Sequence, residues 1–167
     1  MYRLLHNIGE SPSEAPHIKS NYNTIEEVLS AEGILTFDGI YKNVYEQKEN
    51  LHDIILFVMG DYVGADNSFD TGMPLEHYCT WEEIEEMEEE CNAEIAWHTW
   101  SHPDLTTVSD EQLKKEVTPP FKMKKFAYPY GRYNERVIKA VKDAGFEEAY
   151  SVVATDGTKW TIPRSYI

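Results

Sequence analysis

His98 and His102 stand four residues apart in Trp97-His98-Thr99-Trp100-Ser101-His102-Pro103, directly after the short apolar run Glu94-Ile95-Ala96-Trp97. A proline disfavours an α conformation in the residue before it, so the pair is expected in a turn at a strand's end and not on a helix. Loops at the carboxyl ends of parallel strands are where α/β proteins keep their chemistry. Two neutral imidazoles converging there make a partial site for a first-row transition metal. The same two residues in a plain surface turn would bind nothing. Asp38 ends a second apolar run, Leu35-Thr36-Phe37-Asp38, where a lone carboxylate would otherwise be a helix cap or turn former. If the topology brings it beside the histidine turn, the three make a 2-His-1-carboxylate set. A third segment, Phe126-Ala127-Tyr128-Pro129-Tyr130-Gly131, runs from a strand into a tight aromatic turn at the same end.

The elements that must position these residues alternate along the chain. Strands are expected at 2–5, 34–37, 54–59, 94–97, 125–128, 148–152 and 160–162, with helices near 23–31, 41–50, 80–91, 109–116 and 133–144. Thr80 with Glu83, and Ser109 with Gln112, match the capping box that opens a helix. The helix near 80–91 places Ile84, Met87 and Cys91 on one face, and its seven glutamates between Glu82 and Glu90 read as a solvated face. In the helix at 133–144, Val137, Ala140, Val141 and Ala144 share a side, and Gly145 supplies the stop. Repeated β–α alternation implies an α/β fold with a mainly parallel sheet, open or closed into a barrel. The stretch from Gly60 to Cys79 is the longest without a pattern, and its Asp61, Asp66 and Asp70 lack the spacing of a calcium loop.

A chain of 167 residues with 41% apolar content argues for one domain, 1–167, with a single sizeable core. Thirty acidic residues against fifteen basic ones give a net charge of −15, which opposes binding to nucleic acid or an anionic membrane. No apolar run approaches a membrane span, and no basic segment followed by an apolar one opens the chain, so a cytoplasmic location without membrane insertion is expected. Cys79 and Cys91 would lie at opposite ends of about 18 Å of helix. A disulfide needs Cα atoms within roughly 7 Å, so both are expected as free thiols.

The order T-F-D, then H-T-x-x-H-P, then F-A-Y-P-Y-G resembles the polysaccharide deacetylase family (NodB homology, carbohydrate esterase family 4). Leu56-Phe57-Val58-Met59-Gly60-Asp61, Thr80-Trp81-Glu82-Glu83, Asp104-Leu105, Ala144-Gly145-Phe146 and Ile162-Pro163-Arg164 fit the connecting segments, so the likeness runs from about residue 33 onward. The resemblance implies a distorted, incomplete (β/α) barrel of the NodB-homology type. It implies a metal-dependent hydrolase that removes acetyl groups from an N-acetylated sugar or polysaccharide. His98 and His102 would be ligands of a divalent transition metal, zinc being the expected ion, and Asp38 the general base. The Pro129-Tyr130-Gly131 turn would wall the sugar site, with the Tyr130 amide helping to hold the oxyanion, and Trp100, Tyr128 and Tyr130 could stack on a sugar or simply pack.

The chain departs from that pattern in several places. The family's first motif has two consecutive aspartates, base then metal ligand, whereas Asp38 is followed by Gly39. Aligned without a gap, Gly39 stands where the ligand belongs; with one residue deleted, Asp38 becomes the ligand and the base is lost. Ala127 stands where an arginine usually precedes the Pro-aromatic-Gly turn, and Arg164 is the candidate to steady the base instead. No histidine follows His102 to act as the late general acid; His6, His17, His52 and His77 could fill that role only by an unusual approach, and none is assigned to it. The 103–125 connection is short for the family. These departures leave a second expectation beside the deacetylase: a catalytically impaired relative serving as a carbohydrate-binding or interaction module.

Overall fold

Ile54-Ile55-Leu56-Phe57-Val58 is apolar throughout, as a strand must be when covered on both faces. All five residues are buried, and the strand lies inside a parallel sheet that closes on itself. The computed structural model describes residues 2–5, 34–38, 45–46, 49, 54–64, 78–91, 93–153 and 156–166. Among them, seven strands follow one another round a barrel: β1 (Tyr2–Leu5), β2 (Ile34–Asp38), β3 (Ile54–Val58), β4 (Glu94–Trp97), β5 (Lys125–Ala127), β6 (Glu148–Ser151) and β7 (Ile162–Tyr166). Every neighbouring pair is parallel, and β7 closes against β1. A regular (β/α) barrel has eight strands, so this is the expected distorted and incomplete form. The distortion is greatest between β4 and β5, which share one register pair, Trp97 with Phe126.

Alternation along the strands sorts side chains into two cores. Ile55, Phe57, Ala96, Ala127 and Tyr150, with Ile162 against them, fill the barrel interior. Ile54, Leu56, Val58, Ile95, Trp97 and Phe126 face outward under the helices. Those helices are α1 (Trp81–Cys91), α2 (Asp110–Glu116) and α3 (Glu135–Asp143). α1 buries Ile84, Met87 and Cys91, as their spacing requires. Its capping box is complete, with Glu83 N–H donating to Thr80 Oγ1 (3.3 Å) and Thr80 N–H to Glu83 Oε2 (2.9 Å). α2 starts where Ser109 Oγ accepts from Gln112 N–H (3.2 Å), and α3 where Asn134 Oδ1 accepts from Val137 N–H (3.0 Å). Cys79 and Cys91 are both buried thiols, not joined in a disulfide.

One strand is displaced from its expected place. The sequence pattern puts a strand at 160–162, yet Trp160 lies in a turn and β7 begins at Ile162. Hydroxyl and carboxylate bonds hold that turn: Thr158 N–H donates to Asp156 Oδ1 (3.1 Å), Trp160 N–H to Thr158 Oγ1 (3.3 Å), and Thr161 Oγ1 to Asp156. Such side-chain bonds compete with sheet pairing. The helix expected at 23–31 lies outside the described residues, as does nearly all of the one at 41–50.

Candidate functional site

The turn after β4 carries the histidines. His98 N–H donates to the Val58 carbonyl (2.9 Å), extending the β3–β4 pairing by one residue and placing the His98 ring at the barrel rim. That ring is buried, and its Nδ1 lies 2.8 Å from the Ala127 carbonyl oxygen. A carbonyl only accepts, so Nδ1 carries the proton and Nε2 is the ring's acceptor nitrogen. His102 Nε2 lies 3.1 Å from His98 Nε2. Two nitrogens about 2.0–2.1 Å from one ion would lie about 2.9 Å apart at a right angle and about 3.4 Å apart at the tetrahedral angle. The observed pair falls between these, so the two imidazoles fit adjacent positions on one divalent transition metal. Among the described side chains, no third His, Cys, Asp or Glu joins them.

The turn between the rings is bent hard. Thr99 (φ 73°) and His102 (φ 55°) both occupy the left-handed region that side-chain-bearing residues rarely enter. His102 therefore avoids the right-handed helical conformation, as Pro103 requires. The bend brings His102 N–H onto Thr99 Oγ1 (3.0 Å). Trp100 is half-buried against Trp97 and donates its indole N–H to the Thr118 carbonyl (2.9 Å). It lies so close to Gly60 that a Cβ there would come within 2.2 Å of Trp100 Cε3. The indole is thus a brace behind the turn.

Asp38 is the last residue of β2 and the register partner of Phe57. Arg164 is buried, its guanidinium carbon 4.7 Å from the centre of the Phe57 ring, and Phe57 in turn meets His98 edge-on at 6.4 Å. Phe57 thus has Asp38 as its register partner and the side chains of Arg164 and His98 as neighbours. Gly39 lies outside the described residues, as do His6, His17, His52 and His77.

The aromatic turn forms the other wall. Tyr130 (φ 56°) and Gly131 (φ 66°) bend the chain so that Tyr130 is 55% exposed with its ring 4.7 Å from that of His102. Pro129 and Gly131 are buried, and a Cβ on Gly131 would meet Val152 Cγ2 at 2.8 Å, so only glycine fits. Tyr128 is not available to a ligand. It is buried between Phe126 and Tyr133 and donates its hydroxyl to the Trp160 carbonyl (2.9 Å), and that burial raises its pKa. The expectation of Tyr128 as a sugar-stacking residue is corrected: one residue past β5 it keeps the strand's alternation and packs with Phe126 in the outer core. Arg132 Nη1 binds Asp104 Oδ2 (2.7 Å), clipping the aromatic turn to the loop after His102. Hydrogen bonds from Thr106, then Arg132, hold the Asp104 carboxyl below its ordinary range.

A further residue of this site carries no motif in the sequence. Glu116, the last residue of α2, is 1% exposed, and its carboxylate accepts from Trp100 N–H (2.8 Å), Ser101 N–H (3.0 Å) and Ser101 Oγ–H (2.7 Å). The available signal was an acidic residue set into the apolar stripe of Leu113 and Val117, where a buried charge must have partners.

Comparison with known proteins adds a separate line. A family model described as polysaccharide deacetylase matches residues 27–149. A Bacillus subtilis (strain 168) protein named for the same family, YxkH, is 25% identical over 128 residues, covering 68% of this chain and 42% of its own length. The chain therefore spans less than half of that curated relative. The Streptococcus pyogenes deacetylase PplD, solved with acetate, superposes with a TM-score of 0.66 at 18% identity, covering 99% of this chain and 74% of its own. IcaB from Ammonifex degensii gives 0.62 at 20% identity, covering 80% and 66%. At such identities the solved structures speak to the fold.

Proposed function

Because the chain belongs to the polysaccharide deacetylase family, we propose that it hydrolyses the acetamido group of an N-acetylated carbohydrate with a divalent metal held by His98 and His102. The observation that carries this reading is the convergence of the two Nε2 atoms, 3.1 Å apart, with the His98 tautomer set by Ala127. A divalent cation there would supply Lewis acidity toward the acetyl oxygen and a water acidic enough to react near neutral pH. The chain's own groups do the rest. Asp38 accepts the proton that water loses as it adds to the acetyl carbon. Arg164, beside Phe57, would steady that base. The Tyr130 amide donates to the oxygen on which charge develops, typically a large term in acyl transfer. The C–N bond then breaks, the sugar amine takes the proton that Asp38 accepted, and acetate leaves. The exposed Tyr130 ring beside His102 offers an apolar face to a pyranose, and zinc is the expected ion.

The test uses wild type, Asp38→Asn and the His98→Ala/His102→Ala double variant. Wild type should bind one equivalent of zinc and release acetate from N-acetylglucosamine oligomers. Asp38→Asn should keep the zinc and lose about 10²–10⁴-fold in kcat. The double variant should lose both metal and activity. Zinc retained in the double variant, or acetate release that survives Asp38→Asn, would overturn the assignment.

A further inference from the structure

We propose that Glu116 is a positioning residue that sets the metal affinity of the His98/His102 pair; this rests on the metal-site reading above. The turn that aims the two rings is unfavourable by itself. Thr99 and His102 at φ 73° and 55° each store on the order of 1–3 kcal/mol of backbone strain. Something outside the turn must hold it, and the holding group is the Glu116 carboxylate. Trp100 and Ser101, between the two strained residues, give it two amides and a hydroxyl at 2.8, 3.0 and 2.7 Å. All three donors are neutral, and at 1% exposure the carboxylate depends on them for the solvation it has lost.

The same end of α2 grips the turn from both sides. The Glu116 carbonyl accepts the Trp97 indole N–H (2.8 Å), and the Thr118 carbonyl accepts the Trp100 indole N–H (2.9 Å). Trp97 precedes His98, so the helix end is tied on either side of the first histidine as well as inside the turn. Glu116 touches neither imidazole in these contacts; it acts on the ion through the backbone that carries them.

Zinc affinity of the full chain, measured by competition with a chromogenic chelator, tests this, with thermal unfolding of the metal-free proteins alongside. Outer-shell partners of metal ligands commonly contribute 10–100-fold in affinity, and Glu116→Ala should weaken zinc binding by about that factor. Glu116→Gln, which can still accept from both amides, should recover most of the loss. Ser101→Ala removes one donor at an exposed position and should weaken binding about threefold to tenfold. A purely structural glutamate would lower the unfolding temperature and leave the affinity of the folded protein unchanged. A zinc Kd within twofold of wild type in folded Glu116→Ala would therefore overturn the proposal. If that variant does not fold, the same result in Ser101→Ala does so. Wild type that binds no zinc would instead sink the metal site, which separates the two failures.

Discussion

Gly60 is a small residue with a large task, since Trp100 Cε3 lies 2.2 Å and Trp97 Cη2 2.8 Å from where its Cβ would be. It also donates its N–H to the Thr99 carbonyl (3.0 Å), so the one-turn helix after β3 is docked directly on the histidine turn. Gly60→Ala should push the Trp100 indole off its seat and cost about 1–3 kcal/mol in urea unfolding, the usual penalty of overpacking. Because Trp100 braces the turn, the variant should also release zinc faster to a chelator; unaltered stability would show that the indole has another place to go. At this scale the sequence announced His98, His102 and Tyr130 through their neighbours, Pro103 and Pro129-Tyr130-Gly131. It did not announce Gly60 or Glu116, because their importance lies in what another segment places against them.

The elements were more legible than their junctions. Capping boxes at Thr80 and Ser109 and the apolar spacing of Ile84, Met87 and Cys91 are local, so α1 and α2 could be placed from the residues alone. β7 could not, because Thr158, Thr161 and Asp156 bond to one another and because Pro163 sits inside the strand, opposite Ser151. Between strands, Lys125 on β5 reaches Glu94 on β4 (2.8 Å) and Glu148 on β6 (3.1 Å). Burial by itself would lower the Lys125 pKa, but the two carboxylates outweigh it and the net shift is upward. A raised folded pKa means that stability is fully present below the ordinary lysine value of 10.5 and is lost as pH rises through the folded one. The unfolding temperature should thus fall steeply above about pH 10.5, and Lys125→Met should flatten that limb of the profile. An identical alkaline limb in the variant would show that these pairs contribute nothing.

Across the whole molecule, the alternation of strands and helices indicates a parallel α/β fold but not how it closes. Closure rests on β1 meeting β7, with Tyr2 opposite Arg164, a pairing between segments at opposite ends of the described chain. No local pattern encodes so distant a partner. The family motifs carried that information instead, since they imply a barrel whatever the periodicity says. The net charge of −15 belongs to this scale too: it favours a cationic over an anionic ligand without choosing among sites. The weakest rung of the barrel remains the single Trp97–Phe126 pair between β4 and β5. His98 crosses that seam, its Nδ1–H fastened to the Ala127 carbonyl. The imidazole is therefore a rivet as well as a proposed ligand, and stiffening it from the metal side should tighten the wall. His98→Ala should quicken amide hydrogen exchange in β5 while leaving α1 as it was, and zinc should slow the same amides in wild type. A barrel that ignores both changes would mean that the seam is held elsewhere. One that responds to both would make the openness of its wall a gauge of what occupies its rim.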